Sequence, residues 1–441
     1  MTTDRADGRP LVVDLDRALL RTDPAREAFW AALGDNAPAT LRARTPADLE
    51  AIAPVRADLL PVNPTALEHC ENRQIVVISG AGQALAQAVA DALALGAVTL
   101  EVIAVTPDRP DRAAVERAVV ARYGPAGFDL ISGALSSAAL KHAAHKVQDA
   151  SLTTSPRAAL REMRPHQWAK NLLLLLPLFA AQSLLSPAIW PVLLAMTAFA
   201  AGASSIYVVN DLLDLEVDRR HPQKRYRPIA SGALPLRPAM MLSAALALIA
   251  LGLSAAVSPA VLGLVAVYML LSLTYSLRLK ALRWVDLATL VALYLLRVAT
   301  GAVAAGIDLS PWLWGFVAAV FLTLAVVKRL TGLARARDHG HLPGRGYSTA
   351  QIPAVFALGL SGAALSVLAF LGYSHSAEVT ALYSTPWLLR LIAPAVALWL
   401  VRMVRLARAG KEDFDPLVFV ARDWHGLAII AVCAVLYGLA L

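Results

Sequence analysis

The chain has 441 residues, of which 58% are hydrophobic and only 16% charged, and its mean hydropathy is +0.58. These values exclude an ordinary soluble protein of this length and point to a membrane domain. The net charge of +8 fits Lys and Arg held in cytoplasmic loops and does not call for nucleic acid. The only two cysteines, Cys70 and Cys433, exclude a disulfide framework and a cysteine metal site.

The chain opens with the polar stretch "MTTDRADGRP", which has no signal-peptide character. Residues 1–150 are expected to form a soluble, cytoplasmic α/β domain. The runs "PLVVDLD", "QIVVISG", "VTLEVIAV" and "FDLIS" read as strands. "GQALAQAVADALAL" and "RAAVERAVVARYG" read as the helices between them, a pattern that predicts an open parallel sheet. "VVDLDRALLRTD" resembles the opening motif of the haloacid-dehalogenase (HAD) phosphohydrolases. The resemblance implies a Rossmannoid HAD-like domain with Asp14 as nucleophile, Asp16 as acid/base and Ser79 in the second motif. Three departures imply a degenerate, non-catalytic version. Arg17 and Ala18 replace the motif's Gly-Thr, no lysine stands at 113–118, and "SGALSSAALKHA" lacks an acidic metal ligand. Such a domain is expected to regulate, to form a homo-oligomer, or to dock partner enzymes. Residues 151–170 read as a linker and amphipathic lead-in.

Residues 171–441 carry apolar runs of about 18 to 22 residues, enough to cross ~30 Å of hydrocarbon. Nine spans are expected, near 171–185, 188–209, 237–256, 259–276, 285–305, 311–329, 352–372, 385–404 and 425–441. Alternate gaps carry all the loop Lys and Arg, which places the N-terminus inside.

"NDLLDLEVDRRHPQKRYRPIASG", residues 210–232, concentrates charge on the cytoplasmic side after span two. Asn210, Asp214 and Asp218 recur every four residues with Asp211 between them, one face of a helix. Hard oxygens there suit Mg²⁺, which binds through one or two carboxylates plus substrate phosphates. His221, Lys224, Arg225 and Arg227 follow as a phosphate clamp. Arg219 and Arg220 need do no more than keep the loop inside. Arg297 lies about 12 residues into span five, roughly 18 Å deep, as a substrate contact or half of a structural salt bridge. Trp168 and Trp284 read as interfacial anchors. A transporter is the alternative class, because membrane acids also form ion sites.

The pattern N-D-x-x-D-x-x-x-D followed by H-P-x-K-R-x-R-P-I-A-S-G resembles the UbiA superfamily of intramembrane prenyltransferases. That resemblance implies an all-α polytopic domain of nine helices around a cavity, with Mg²⁺ and a diphosphate at the acidic motif. "YSLRLKALRWVD" (275–286) offers a single acid, Asp286, beside Tyr275, Arg278 and Lys280. It departs from the second aspartate-rich motif of the aromatic prenyltransferases. It is similar instead to the decaprenyl-phosphate phosphoribosyltransferase branch, as are "MRPHQWAKN" (163–171), "LRVATGAVAAGIDLSPW" (296–312), "VVKRLTGL" (326–333) and "DPLVFVARDW" (415–424). This implies transfer of 5-phosphoribosyl from phosphoribosyl pyrophosphate to a polyprenyl phosphate at the cytoplasmic face of the inner membrane. Asp211, Asp214, Asp218 and Asp286 would be the catalytic acids. Lys170, Asn171, His221, Lys224, Arg225, Arg227, Tyr275, Arg278, Lys280 and Arg297 would bind the substrates. The alternatives are prenyl transfer to an aromatic or other small acceptor, and a scaffold built on a dead enzyme.

Overall fold

A computed structural model of the chain describes residues 8–71, 73–95, 99–109, 111–132, 140–147, 155–336, 340–342, 344–411 and 423–441. Packing divides it into two compact units, Met1–Pro165 with Ser204–Leu246, and His166–Ala203 with Ala247–Leu441. The helices Ile189–Leu213 and Leu236–Val257 therefore contribute one end to each unit.

The first unit is built on a parallel sheet. Its strands are β1 (Leu11–Asp14), β2 (Gln74–Gly82), β3 (Thr99–Val105), β4 (Asp129–Ile131) and β5 (Lys146–Val147), in the order β3-β2-β1-β4-β5. Leu11 pairs with Ile75 on one side and with Asp129 on the other. Side chains alternate between faces along each strand. Leu11, Val13, Ile75 and Val77 therefore pack with Leu85, Ala86 and Val89 of the helix Gln83–Ala92. Val12, Val76 and Ile78 pack with Val115 and Val119 of the helix Arg112–Tyr123. Both faces are covered, which is why the strands read as unbroken apolar runs.

A third cluster in the same unit joins the sheet domain to the ends of two membrane helices. Trp30, from the helix Pro24–Thr40, packs with Val208, Leu212, Leu215, Ile229, Leu234 and Leu236. Gly232 has φ +73°, and a Cβ there would lie 2.8 Å from the carbonyl oxygen of Arg21. Only glycine permits both that conformation and that approach. Arg219 donates to both carboxylate oxygens of Glu27, at 3.0 and 2.6 Å, and to the carbonyl of Ala230. Arg219 is thus a buried structural clamp, not a loop charge. Arg220 stays exposed and pairs with Glu216.

The second unit is helical. Among the described residues, seven helices are long and apolar enough to cross a membrane: Ile189–Leu213, Leu236–Val257, Pro259–Leu277, Val285–Ala305, Pro311–Arg335, Thr349–Ser374 and Trp387–Arg408. Large apolar side chains such as Leu248, Leu270, Leu368 and Leu398 are exposed along them, the surface that lipid covers. The chain is a multi-pass membrane protein. Ser258-Pro259 and Ser310-Pro311 start two helices, each serine accepting a backbone N–H of the first turn as proline fixes the φ of the first residue.

The first of the nine expected spans does not form a full-length helix, and the ninth forms the shorter apolar helix Trp424–Ala440. Residues 165–175 form a 3-10 stretch followed by the five-residue helix Leu176–Ala180, with Pro177 at its start. Proline supplies no N–H, so it starts that helix afresh and does not extend the preceding turn. The last helix, Trp424–Ala440, has 17 residues. The 3-10 stretch packs closely on the helix Val285–Ala305, because a Cβ at Gly301 would lie 2.0 Å from the carbonyl of Leu174.

Candidate active site

Among the described residues, three clusters contain the expected acidic site residues, two in the first unit and one in the second, and Arg297 forms a separate node.

The first cluster surrounds the acidic stretch. The helix Ile189–Leu213 ends just before Asp214, where ψ is 15°, and Leu215–Arg220 forms a further short helix. The i to i+4 bonds from Asp214 to Asn210 and from Asp218 to Asp214 persist across this break, so the expected shared face survives. Arg227 Nη1 lies 3.0 Å from Asp211 Oδ1 and 2.5 Å from Asp218 Oδ2, bridging the two carboxylates. Lys224 Nζ is 3.7 Å from Asp218 Oδ1. Arg164 Nη2 reaches both oxygens of Asp211, at 2.5 and 2.6 Å. It does so from a backbone φ of +53°, a strained conformation for arginine that tertiary contacts must hold in place. Glu162 is buried beside this group, and burial followed by the charge of Asp211 pushes its carboxyl up to about 9. Burial, with the charge of Asp211, also raises the Asp218 carboxyl, while Arg227 and Lys224 pull it down.

Among the described residues no three carboxylate, imidazole or thiolate groups converge as a metal site. The bridging guanidinium of Arg227 accounts for this, since it lies between two of the acids. Asn210 Oδ1 and Asp218 Oδ1 are nevertheless buried acceptors with no hydrogen-bond donor. Hard oxygens left in this condition fit a cation such as Mg²⁺. His221 accepts from the backbone N–H of Gln223 and Lys224, at 3.2 and 3.3 Å, and so shapes the turn. Arg225 is exposed and donates to the hydroxyl of Tyr226 at 2.7 Å. Neither His221 nor Arg225 joins the acids.

The second cluster lies at the C-terminal ends of β1 and β2. In a parallel sheet this is where ligands bind, beside the point at which strand order reverses, here between β1 and β4. Ser79 Oγ donates to Asp16 Oδ1 and the Gly80 N–H to Asp16 Oδ2, both at 2.6 Å. Ser132 Oγ donates to Asp14 at 3.0 Å. Arg112 pairs with Asp14, with Asp16 and with Glu116. Arg112, immediately before the 113–118 stretch in which no lysine stands, is the cation beside Asp14 and Asp16. The stretch expected to lack the acidic ligand lies largely in 133–139, outside the described residues.

The third cluster is in the second unit. Asp286 is fully buried and accepts from Arg329 at 2.8 Å, Arg345 at 2.9 Å and the Tyr275 hydroxyl at 3.0 Å. Both arginines also donate to Tyr275 Oη, at 2.8 and 2.7 Å. The expected neighbours Arg278 and Lys280 are not among these partners; Arg278 is exposed. Arg329 comes from "VVKRLTGL" and Arg345 from the following loop. Trp284 donates its backbone N–H to the hydroxyl of Tyr347, so it takes part in the packing beside this site.

Arg297 is buried and donates to Asn171 Oδ1 at 3.2 Å, Leu293 O at 2.7 Å and Tyr268 Oη at 2.8 Å. Its guanidinium lies 4.7 Å from the Tyr268 ring centroid. These partners are neutral, so the expected salt bridge is replaced by hydrogen bonds and ring contacts. The Asn171 Nδ2 is buried without an acceptor. Lys170 stands one residue before it on the 3-10 stretch. In the stretch 415–424, residues 415–422 lie outside the described residues, and Asp423 caps the last helix and pairs with Arg402.

Arg164, Glu162, Arg112, Arg329 and Arg345 are the site residues that the sequence reading did not single out. Arg164 and Arg329 stand within stretches that did attract notice, but their partners are 47 and 43 residues away.

Lipid-facing helices and buried clusters of arginine, aspartate and tyrosine describe a polytopic membrane protein. The chain belongs to the UbiA prenyltransferase family, whose model matches residues 171–437. It is 35% identical over 281 residues to the uncharacterized protein y4nM of Sinorhizobium fredii, across 62% of this chain and 54% of that one. It is 34% identical over 274 residues to the nodulation protein NoeC of Azorhizobium caulinodans, across 60% and 88%. It is 41% identical over 158 residues to the decaprenyl-phosphate phosphoribosyltransferase of Corynebacterium glutamicum, across 35% and 48%. The chain thus spans about half the length of the first and third of these relatives. Among solved structures, a UbiA homolog from Archaeoglobus fulgidus bound to GPP and Mg²⁺ aligns with TM-score 0.49 at 16% identity, over 64% of this chain and 99% of that one.

Proposed function

We propose that the chain transfers 5-phosphoribosyl from phosphoribosyl pyrophosphate to a polyprenyl phosphate, with Mg²⁺, at the cytoplasmic face of the membrane. The observation that carries this reading is the Asp286 cluster. Its single acid is already committed to two arginines and a tyrosine, so the cluster is net cationic. A cationic site suits a phosphate acceptor better than a neutral ring or a second metal ion. The similarity to the decaprenyl-phosphate phosphoribosyltransferase of Corynebacterium glutamicum supports the same choice.

In this reading Asn210, Asp211, Asp214 and Asp218 would hold Mg²⁺, which would supply charge neutralisation for the pyrophosphate leaving group. Lys224, Arg227 and Arg164 hold donor phosphate oxygens. Loss of pyrophosphate leaves oxocarbenium character on the ribose, and the acceptor phosphate attacks as an anion that needs no general base. Tyr275, Arg329 and Arg345 position that acceptor, with Asn171 and Arg297 contributing from their own node. The sheet domain is a HAD-like relic, with Arg112 standing between Asp14 and Asp16 and the hydrolytic chemistry they would otherwise perform.

The test is the purified chain in lipid nanodiscs with Mg²⁺ and a panel of substrate pairs. Consumption of phosphoribosyl pyrophosphate that depends on polyprenyl phosphate is expected. Turnover of a prenyl diphosphate with an aromatic acid, and none of the first pair, would reverse the assignment.

A further inference from the structure

A cleft of about 450 Å³ in the first unit is lined by the segment after β1, by Arg112, and by Pro235 to Pro238. Its walls carry five arginines against two aspartates. The two acids are already engaged, Asp16 by Arg112 and Asp23 by Arg26. Arg17, Arg21 and Arg237 have no carboxylate partner among the described residues. The Arg21 Nε is buried with no hydrogen-bond acceptor, a costly state for a guanidinium N–H. Three uncompensated guanidiniums around one concavity make an anion site, and arginine binds phosphate oxygens bidentately. The volume falls in the range of small-ligand pockets.

We propose that this cleft binds a small, water-soluble phosphate monoester of sugar-phosphate size, held by Arg17, Arg21 and Arg237. Asp14, Asp16 and Ser79 do not hold it, because their polar atoms are committed to one another and to Arg112. The ligand is bound and not hydrolysed. Binding ties two segments together. Arg17 and Arg21 follow β1, while Arg237 opens the helix Leu236–Val257, directly after the loop that carries Arg227. Gly232 of that loop already presses on Arg21. An occupant therefore bridges the segment after β1 and the start of the helix Leu236–Val257.

The test is calorimetric titration of the full chain in detergent with ribose 5-phosphate, inorganic phosphate and ribose. Ribose 5-phosphate is expected to bind and ribose to fail. Arg237→Glu, an exposed position that leaves the core intact, is expected to raise the Kd at least tenfold, and Arg21→Ala to do likewise. Asp218→Asn, which alters the proposed transferase site, is expected to leave the Kd unchanged. Failure of ribose 5-phosphate to bind, an unchanged Kd in Arg237→Glu, or loss of binding in Asp218→Asn overturns the proposal. None of these results depends on what the transferase site transfers.

Discussion

At the scale of single residues, long-range arginines decide the chemistry. Arg227 bridges Asp211 and Asp218, so its removal leaves two buried carboxylates without their shared cation. Arg227→Ala is expected to lower kcat/KM by roughly 100-fold, the worth of a charge-assisted contact of about 2 to 3 kcal/mol, and Arg227→Lys to recover only part. Steady-state kinetics at fixed Mg²⁺ checks this, and activity within twofold of wild type would contradict it. Asp16 gives a pH prediction. Burial, then the charge of Asp14, pushes its carboxyl up to about 6, against the pull of Arg112, Ser79 and Gly80. The folded state therefore holds that proton more tightly than the unfolded state. Its stabilising contribution is complete below about pH 4 and is lost as pH rises through about 6. Relative to Asp16→Asn, the wild type should lose on the order of 3 kcal/mol between pH 4 and 7. Unfolding curves of both proteins across that range would expose a constant difference if the account is wrong. The contacts of Lys224 and Arg227 with the acidic stretch were legible in the sequence because these residues closely follow it, whereas His221 and Arg225, equally near, do not join the acids. Arg112, Arg164, Arg329 and Arg345 were not, because spacing along a chain carries no trace of contacts 43 to 98 residues apart.

At the scale of elements, two contacts hold the functional segments in register. Glu27 and Arg219 join the helix Pro24–Thr40 to the helix Leu215–Arg220 within the first unit, with only 4% and 7% of their side chains exposed. Removing one partner of a buried ion pair costs about 3 to 5 kcal/mol. Glu27→Ala should therefore lower the thermal midpoint and, by loosening Leu215–Arg220, the transferase rate as well. A melting curve that matches wild type would refute the clamp. Gly301→Leu should abolish folded protein, because the 3-10 stretch has no room to retreat from the helix Val285–Ala305. Monodisperse elution of that variant in detergent would show otherwise. The first four strands and the helices Gln83–Ala92 and Arg112–Tyr123 followed from apolar runs, since both sheet faces are buried, whereas β5 and the helix Pro24–Thr40 did not. The 3-10 stretch did not follow, because an apolar run containing Pro177 has the composition of a span whether or not it forms one.

At the scale of the whole molecule, the chain is a UbiA-family membrane transferase whose first packing unit takes in the acidic stretch as well as the parallel sheet. Apolar runs and the concentration of charge in loops announced the membrane domain. They could not show that the ends of two membrane helices pack with the N-terminal domain, which depends on surfaces such as Trp30 against Val208 and Leu234. The account stands or falls on where the atoms of phosphoribosyl pyrophosphate go. The chain in nanodiscs with polyprenyl phosphate and Mg²⁺ should be given donor labelled either in the 5-phosphate or in the pyrophosphate. The first label is expected to enter the lipid and the second to be released as pyrophosphate, both dependent on Mg²⁺ and lost in Asp214→Asn. Absence of the 5-phosphate label from the lipid, with turnover of a prenyl diphosphate in its place, would contradict it.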